Sequence, residues 1–272
     1  MTDALLGSGS YRTGKWRPIS RRGVIAFCAR TSSLVLALFL LCAVDDRPLA
    51  AHETIDADRV NQILAAADQA AANVKTAAGL GTEGETRFAL GLVLVDATET
   101  LNRDLAAHSG RLTFNAEHLL KSLAQRDLAP RFDEAIGRYR LPRTPLEEAL
   151  RLSPAAPFAV RARFLLLKAG FYESFVLDPF QLVGIGFDDL AREIAEAETV
   201  SAALKNTEDA EEAAFIHAID LARAARLAPQ TEAARSYADR ARMALNAFAE
   251  AYPESMRAAA AGMILKGLGG AK

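Results

Sequence analysis

The side chains able to do chemistry are few and scattered. The four histidines are His52, His108, His118 and His217, and none falls in an HExxH or comparable pattern, where two imidazoles one helical turn apart share a metal. His108 and His118 flank a turn with Glu117 beside them. Holding a cation there would require tertiary convergence, and placement at helix ends or on the surface accounts for both equally. His217 lies next to an apolar stripe, three residues before Asp220, which reads as structural. The acid pairs Glu147-Glu148, Asp188-Asp189 and Glu211-Glu212 are adjacent along the chain, so neither pair member shares a helix face with the other for general acid-base work. Near helix starts they suit the dipole instead. There is no GxSxG elbow, phosphate loop or dinucleotide fingerprint. Gly79-Leu80-Gly81-Thr82-Glu83-Gly84 has the glycines of a phosphate cradle but follows a helical pattern and lacks the Lys-Ser/Thr ending, so a hairpin loop is expected. These residues predict no catalytic group, no metal site and no cofactor, and hence no enzyme.

A binding surface is better supported. Phe171, Tyr172, Phe175, Phe180 and Phe187 form the densest aromatic cluster, beside Gly184 and Gly186. It reads either as a hydrophobic groove or pocket between helices or as the closure of a core around an irregular crossing. Arg161 and Arg163 precede the cluster and read either as receptors for an acidic peptide or as its solvated rim. Tyr237 joins Arg161 and the aromatic residues as a candidate groove position.

Composition narrows the classes. The 272 residues carry 32 Lys and Arg against 34 Asp and Glu, a formal charge of -2, which removes the electrostatic basis for nucleic-acid binding. At 51% hydrophobic and 24% charged the chain can build a buried core. The first fifty residues have the order of a signal peptide: a basic patch (Arg12, Lys15, Arg17, Arg21, Arg22, Arg30), then an apolar run from Ser33 to Val44, with Cys42-Ala43 and Ala50-Ala51 as small residues for cleavage. Residues 1–50 are expected to be removed; an uncleaved anchor facing the periplasm is the alternative, and membrane contact is expected only then. Ser20-Arg21-Arg22-Gly23-Val24-Ile25 resembles a twin-arginine export signal in part. Cleavage near Ala50 leaves 25 bases and 31 acids, net -6. It also takes away Cys28 and Cys42, so no disulfide framework is expected in residues 51–272.

Those residues read as helix after helix. Apolar stripes run through Val60, Ile63, Leu64, Ala67, Ala71 and Val74, with Gly79, Gly81 and Gly84 as the stop, and then from near Glu85 through Phe88, Leu92, Val95 and Leu101 to His108. A third segment covers Phe114 to Leu128. Prolines 130, 142, 145, 154 and 157 make residues 129–157 an irregular stretch with room for short helices only, at Phe132 to Tyr139 and Pro145 to Leu152. Helices follow through Val160 to Phe171, Leu190 to Leu204, Phe215 to Leu221, Tyr237 to Phe248, and Met256 to Met263. Small residues at Ala225, Ala234, Ala241, Ala258 and Ala261 would let backbones approach closely.

Ser236 to Leu265 resembles a tetratricopeptide-type unit of the kind found in bacterial periplasmic scaffold and outer-membrane assembly proteins. Tyr237, Ala241, Leu245 and Phe248 match its second-helix packing positions, Tyr252-Pro253 its terminating turn, and Ala258 to Leu265 the next helix. The match spans about thirty residues, and no regular repeat of about 34 residues extends upstream. The resemblance implies an all-α fold of stacked antiparallel hairpins, a TPR-like α-solenoid, and a periplasmic scaffold or accessory role toward another envelope protein or peptide. A helical binding protein for a small apolar ligand is the alternative.

Overall fold

A computed structural model describes residues 55–174 and 186–269. Nine helices and one two-stranded hairpin are found among them, which makes the fold mostly helical as the periodicity predicts. Residues 1–50, and with them the expected signal peptide, lie outside the described residues. So do Phe175, Phe180 and Gly184.

Helix α1 (Ala57–Thr76) starts where the Asp56 carboxylate accepts the Arg59 backbone N–H at 2.6 Å, a cap that satisfies one of the orphan donors of the first turn. Val60, Ile63, Ala67 and Ala70 are its buried stripe. The chain reverses at Gly79, whose φ of +92° is costly for any residue with a Cβ. Helix α2 (Leu80–Ala107) then begins at once, so Gly81 and Gly84 are helical and do not belong to the expected loop. At Gly84, as at Gly91, the reason is tertiary. A Cβ on Gly84 would sit 2.5 Å from Ser153 Oγ and 3.3 Å from Phe158 Cζ, and one on Gly91 would sit 2.7 Å from Leu146 Cγ. These glycines let the following helices lie against α2, where Phe88 and Phe158 stack with centroids 4.9 Å apart.

Helix α3 (Phe114–Ala124) is capped by Thr113. The buried Asp104 of α2 accepts both the Thr113 N–H at 2.8 Å and its hydroxyl at 2.9 Å. The proline-rich stretch departs from expectation. Phe132 to Tyr139 is not a helix but an antiparallel hairpin of β1 (Arg131–Asp133) and β2 (Arg138–Arg140). Three local features account for it. The Asp133 side chain accepts the Ala135 N–H at 2.8 Å, Gly137 takes φ +64°, and Phe132 packs edge-on against its cross-strand partner Tyr139 at 5.2 Å. Asn102 of α2 completes the hairpin by bonding both the N–H and the C=O of Tyr139 at 2.8 and 2.9 Å, as a third strand would.

Helix α4 (Thr144–Leu152) carries Pro145 in its first turn, where the missing N–H has no consequence. Helices α5 (Ala159–Ser174), α6 (Phe187–Leu204), α7 (Ala210–Leu227), α8 (Thr231–Ala251) and α9 (Met256–Gly269) follow. Each packs on its sequence neighbour, and α7 also touches α5 and α9. The large core they share is built from Phe164, Leu190, Ile194, Ile216, Leu245 and Phe248. Ala241 and Ala261 are buried, as close backbone approach requires. In α9 the inward face is Ala260, Ala261 and Ile264, with Met256 54% exposed, so the helix is rotated from the Met256–Ala260–Met263 stripe expected of it. No described helix is long and apolar enough to cross a membrane.

Candidate functional site

Of the expected groove residues that are described, Phe171, Tyr172, Phe187 and Tyr237 belong to or pack on one hydrophobic core. Phe171 is core, 3% exposed, with Tyr172 edge-on to it at 5.2 Å. Phe187 meets Tyr237 at 5.9 Å, tying the start of α6 to α8. Arg161 is held by Glu208 and Asp209 at 2.7 and 3.2 Å, and Arg163 faces Glu196 at 3.7 Å. Both arginines therefore have their acids within the chain. His108 Nδ1 lies 2.8 Å from the Asp104 carbonyl oxygen and His118 is exposed. No group of metal-ligating side chains is present among the described residues.

The sequence had not pointed to Lys168. Its ammonium, 22% exposed, sits between Glu99 of α2 at 2.9 Å and Glu212 of α7 at 2.8 Å. Glu212 also accepts the Tyr172 hydroxyl at 2.8 Å and faces Arg257 of α9 at 3.3 Å. Arg257 reaches Glu211 at 3.2 Å, and Glu211 accepts the Ser255 hydroxyl at 2.6 Å. One charge network thus links α2, α5, α7 and α9. Burial works against the charge on Lys168, but the two carboxylates outweigh it and raise its pKa. Burial, reinforced by Glu212, pushes the Tyr172 phenol well above its ordinary value. Neither group is activated at neutral pH: the lysine stays charged and the phenol stays protonated. The signal in the sequence was a single lysine inside the apolar run Phe164 to Phe171 of α5. Glu211 and Glu212, read as helix-start acids, turn out to be this lysine's and Arg257's partners as well.

Beside this network lies a cleft of about 60 Å³ between α2, β2 and α5. Its floor is Val95, Leu141, Leu165 and Ala169, and its polar walls include Glu99, Arg138, Lys168 and Glu173. Glu173, 8% exposed, accepts the Leu141 N–H at 3.0 Å and is paired with Arg143 at 2.6 Å, which fastens the hairpin's exit to α5. Arg138 lies over the Tyr172 ring at 5.6 Å, a cation–π contact that holds the guanidinium at the cleft.

Two further ionisable groups lie on α7. Asp220 pairs with Arg223 at 2.9 Å inside α7, and burial pushes its carboxyl up to about 6. His217, also on α7, has a buried Nε2 with no hydrogen-bond partner, and desolvation lowers its pKa. Glu198 of α6 and Arg240 of α8, themselves 2.9 Å apart, act on it with opposite sign. No family model, curated protein or solved structure matches the chain.

Proposed function

We propose that the chain is an exported helical-repeat scaffold or accessory protein of the bacterial periplasm that holds another envelope protein or peptide and performs no chemistry of its own. The observation that carries this reading is the packing order from α5 to α9. Each helix lies on the next, with α5–α7 and α7–α9 contacts between them, which supports a reading as stacked hairpins, whose outer faces would serve as binding surface. It agrees with the tetratricopeptide resemblance of Ser236 to Leu265, whose Ala241, Leu245 and Phe248 are all buried. The ionisable groups near the cleft also support it. Lys168, Tyr172 and Glu212 hold one another in place and Glu173 is held by Arg143, whereas a general acid or base needs a pKa near the working pH and access to substrate.

The alternative, a chamber for a small apolar ligand, is less well supported. Pockets for such ligands measure about 300–1,000 Å³, against a cleft here of about 60 Å³ with charged walls. The test is isolation of the tagged full chain from its native envelope after crosslinking, with mass spectrometry of proteins and of extracted small molecules. A stoichiometric envelope protein, together with an N-terminus near residue 51, is expected. A co-purifying apolar small molecule without any protein overturns the reading.

A further inference from the structure

The β1–β2 hairpin carries an excess of positive charge on one face. Arg131 is directly opposite Arg140, and Asp133 is opposite Arg138, so side chains of all four project to the same side of the hairpin. Like charges opposed across strands are destabilising, and the pairing here does little to relieve them. Asp133 bonds diagonally to Arg140 at 2.5 Å, not to Arg138. Among the described residues neither Arg131 nor Arg138 has a carboxylate partner.

Arg138 also differs from every other cation at the cleft. Lys168 is neutralised by Glu99 and Glu212, and Arg143 by Glu173. The wall carboxylates are therefore already taken, while the Arg138 guanidinium is held on the Tyr172 ring, with no side-chain hydrogen bond to any of the described residues. The space it borders, about 60 Å³, has room for about four waters, or for the end of one acidic side chain.

From these observations we infer that the arginine face of the hairpin receives an acidic segment of a partner protein, one of whose Asp or Glu carboxylates enters the cleft and is gripped by Arg138. This rests on the scaffold reading and gives it a site and a partner chemistry. Guanidinium suits the task better than ammonium, because its planar donors can hold both carboxylate oxygens at once. Arg131, with Arg140 offset by Asp133, supplies a field that orients the acidic segment without entering the cleft. The recognition is separate from Arg161 and Arg163, whose acids are internal.

The experiment is fluorescence anisotropy of the full chain with a labelled glutamate–glycine peptide and its glutamine–glycine twin. Binding of the glutamate peptide alone is expected. Arg138→Gln should weaken it by about tenfold or more, the loss of one charge-assisted pair. Arg138→Lys should recover part of it, and Arg131→Gln should weaken it less and in a salt-dependent way. Unchanged unfolding midpoints establish that the variants fold. Equal binding of the two peptides, or wild-type affinity in Arg138→Gln, overturns the inference. So does N-acetylglutamate binding as tightly as the peptide, which makes this a small-molecule site. Vesicles of phosphatidylglycerol binding in place of the peptide overturn it as well. Retention of a native envelope partner by Arg138→Gln refutes this site and leaves the scaffold reading standing. Glutamate-peptide binding by a chain that recovers no envelope partner does the reverse.

Discussion

Replacing Gly91 with alanine should destabilise the protein, whereas the same change at Gly262 should stabilise it. Both glycines are interior to helices, α2 and α9, and on helix propensity alone each substitution gains about 0.8–1 kcal/mol. At Gly262 nothing lies within 4 Å of the added Cβ, so that gain stands. At Gly91 the Cβ would come within 2.7 Å of Leu146 Cγ. Leu146 is fully buried, so its side chain has no free space to swing into. Overpacking of this kind costs about 1–3 kcal/mol, leaving a net loss of about 1 kcal/mol. For a chain of this size that corresponds to a fall of about 2–4 °C in Tm, against a rise of about 2–3 °C for Gly262→Ala. Paired thermal and urea unfolding of the two variants measures both. A third variant isolates the cause. Leu146→Ala alone should cost about 2–5 kcal/mol, and adding Gly91→Ala to it should cost nothing more, because the new methyl enters the vacated space. A stabilised Gly91→Ala, or a double variant worse than Leu146→Ala alone, would refute the reasoning that α2 and α4 meet at that glycine.

Three other outcomes follow from the buried polar groups. Lys168→Met should lower stability by about 1–2 kcal/mol, since Glu99 is 41% exposed and Glu212 keeps Arg257 and the Tyr172 hydroxyl once the cation between them is gone; adding Glu212→Gln should recover part of the urea midpoint, and an unchanged midpoint in Lys168→Met would contradict the network. Asp104→Ala should cost about 1–3 kcal/mol, because the Thr113 N–H and hydroxyl both lose their acceptor, and hydrogen exchange should show the first turn of α3 fraying before the rest. His217, whose pKa is lowered from 6.5 in the folded state, contributes stability that is complete above 6.5 and declines as pH falls toward the folded value, because the unfolded chain then binds the extra proton. Asp220 works in the opposite direction: its carboxyl is raised from 3.8 to about 6, so the folded state binds the extra proton and stability falls as pH rises across that range. The difference between wild type and His217→Leu from pH 7 to 5 isolates the histidine, and the variant should lose less stability on acidification; parallel curves would assign His217 no part in it.

The helices were legible because their information is local. Val60, Ile63 and Ala67, then Leu190, Ile194 and Ala197, then Ala241, Leu245 and Phe248 repeat at helical spacing, and all are buried. That repeat, with breaks at Gly79, Pro229 and Tyr252-Pro253, determined an all-α chain and the placement of most of its turns. What the sequence left open depended on neighbours far along the chain. Gly81 and Gly84 read as breakers and are helical, and at Gly84 whether a missing side chain ends a helix or admits another one depends on Ser153 and Phe158. Phe132 to Tyr139 read as a helix and forms a hairpin, because Asn102 supplies the hydrogen bonds of an absent strand. Arg161 and Arg163 read as receptors for an acidic peptide or as a solvated rim and are paired within the chain, while Arg138, which the sequence did not single out, has no carboxylate partner among the described residues. A residue's periodicity is written within a few neighbours of it, but its electrostatic partner is not. Charge balance around Lys168 and Arg138 was settled only when α2, the hairpin, α5 and α7 were brought together.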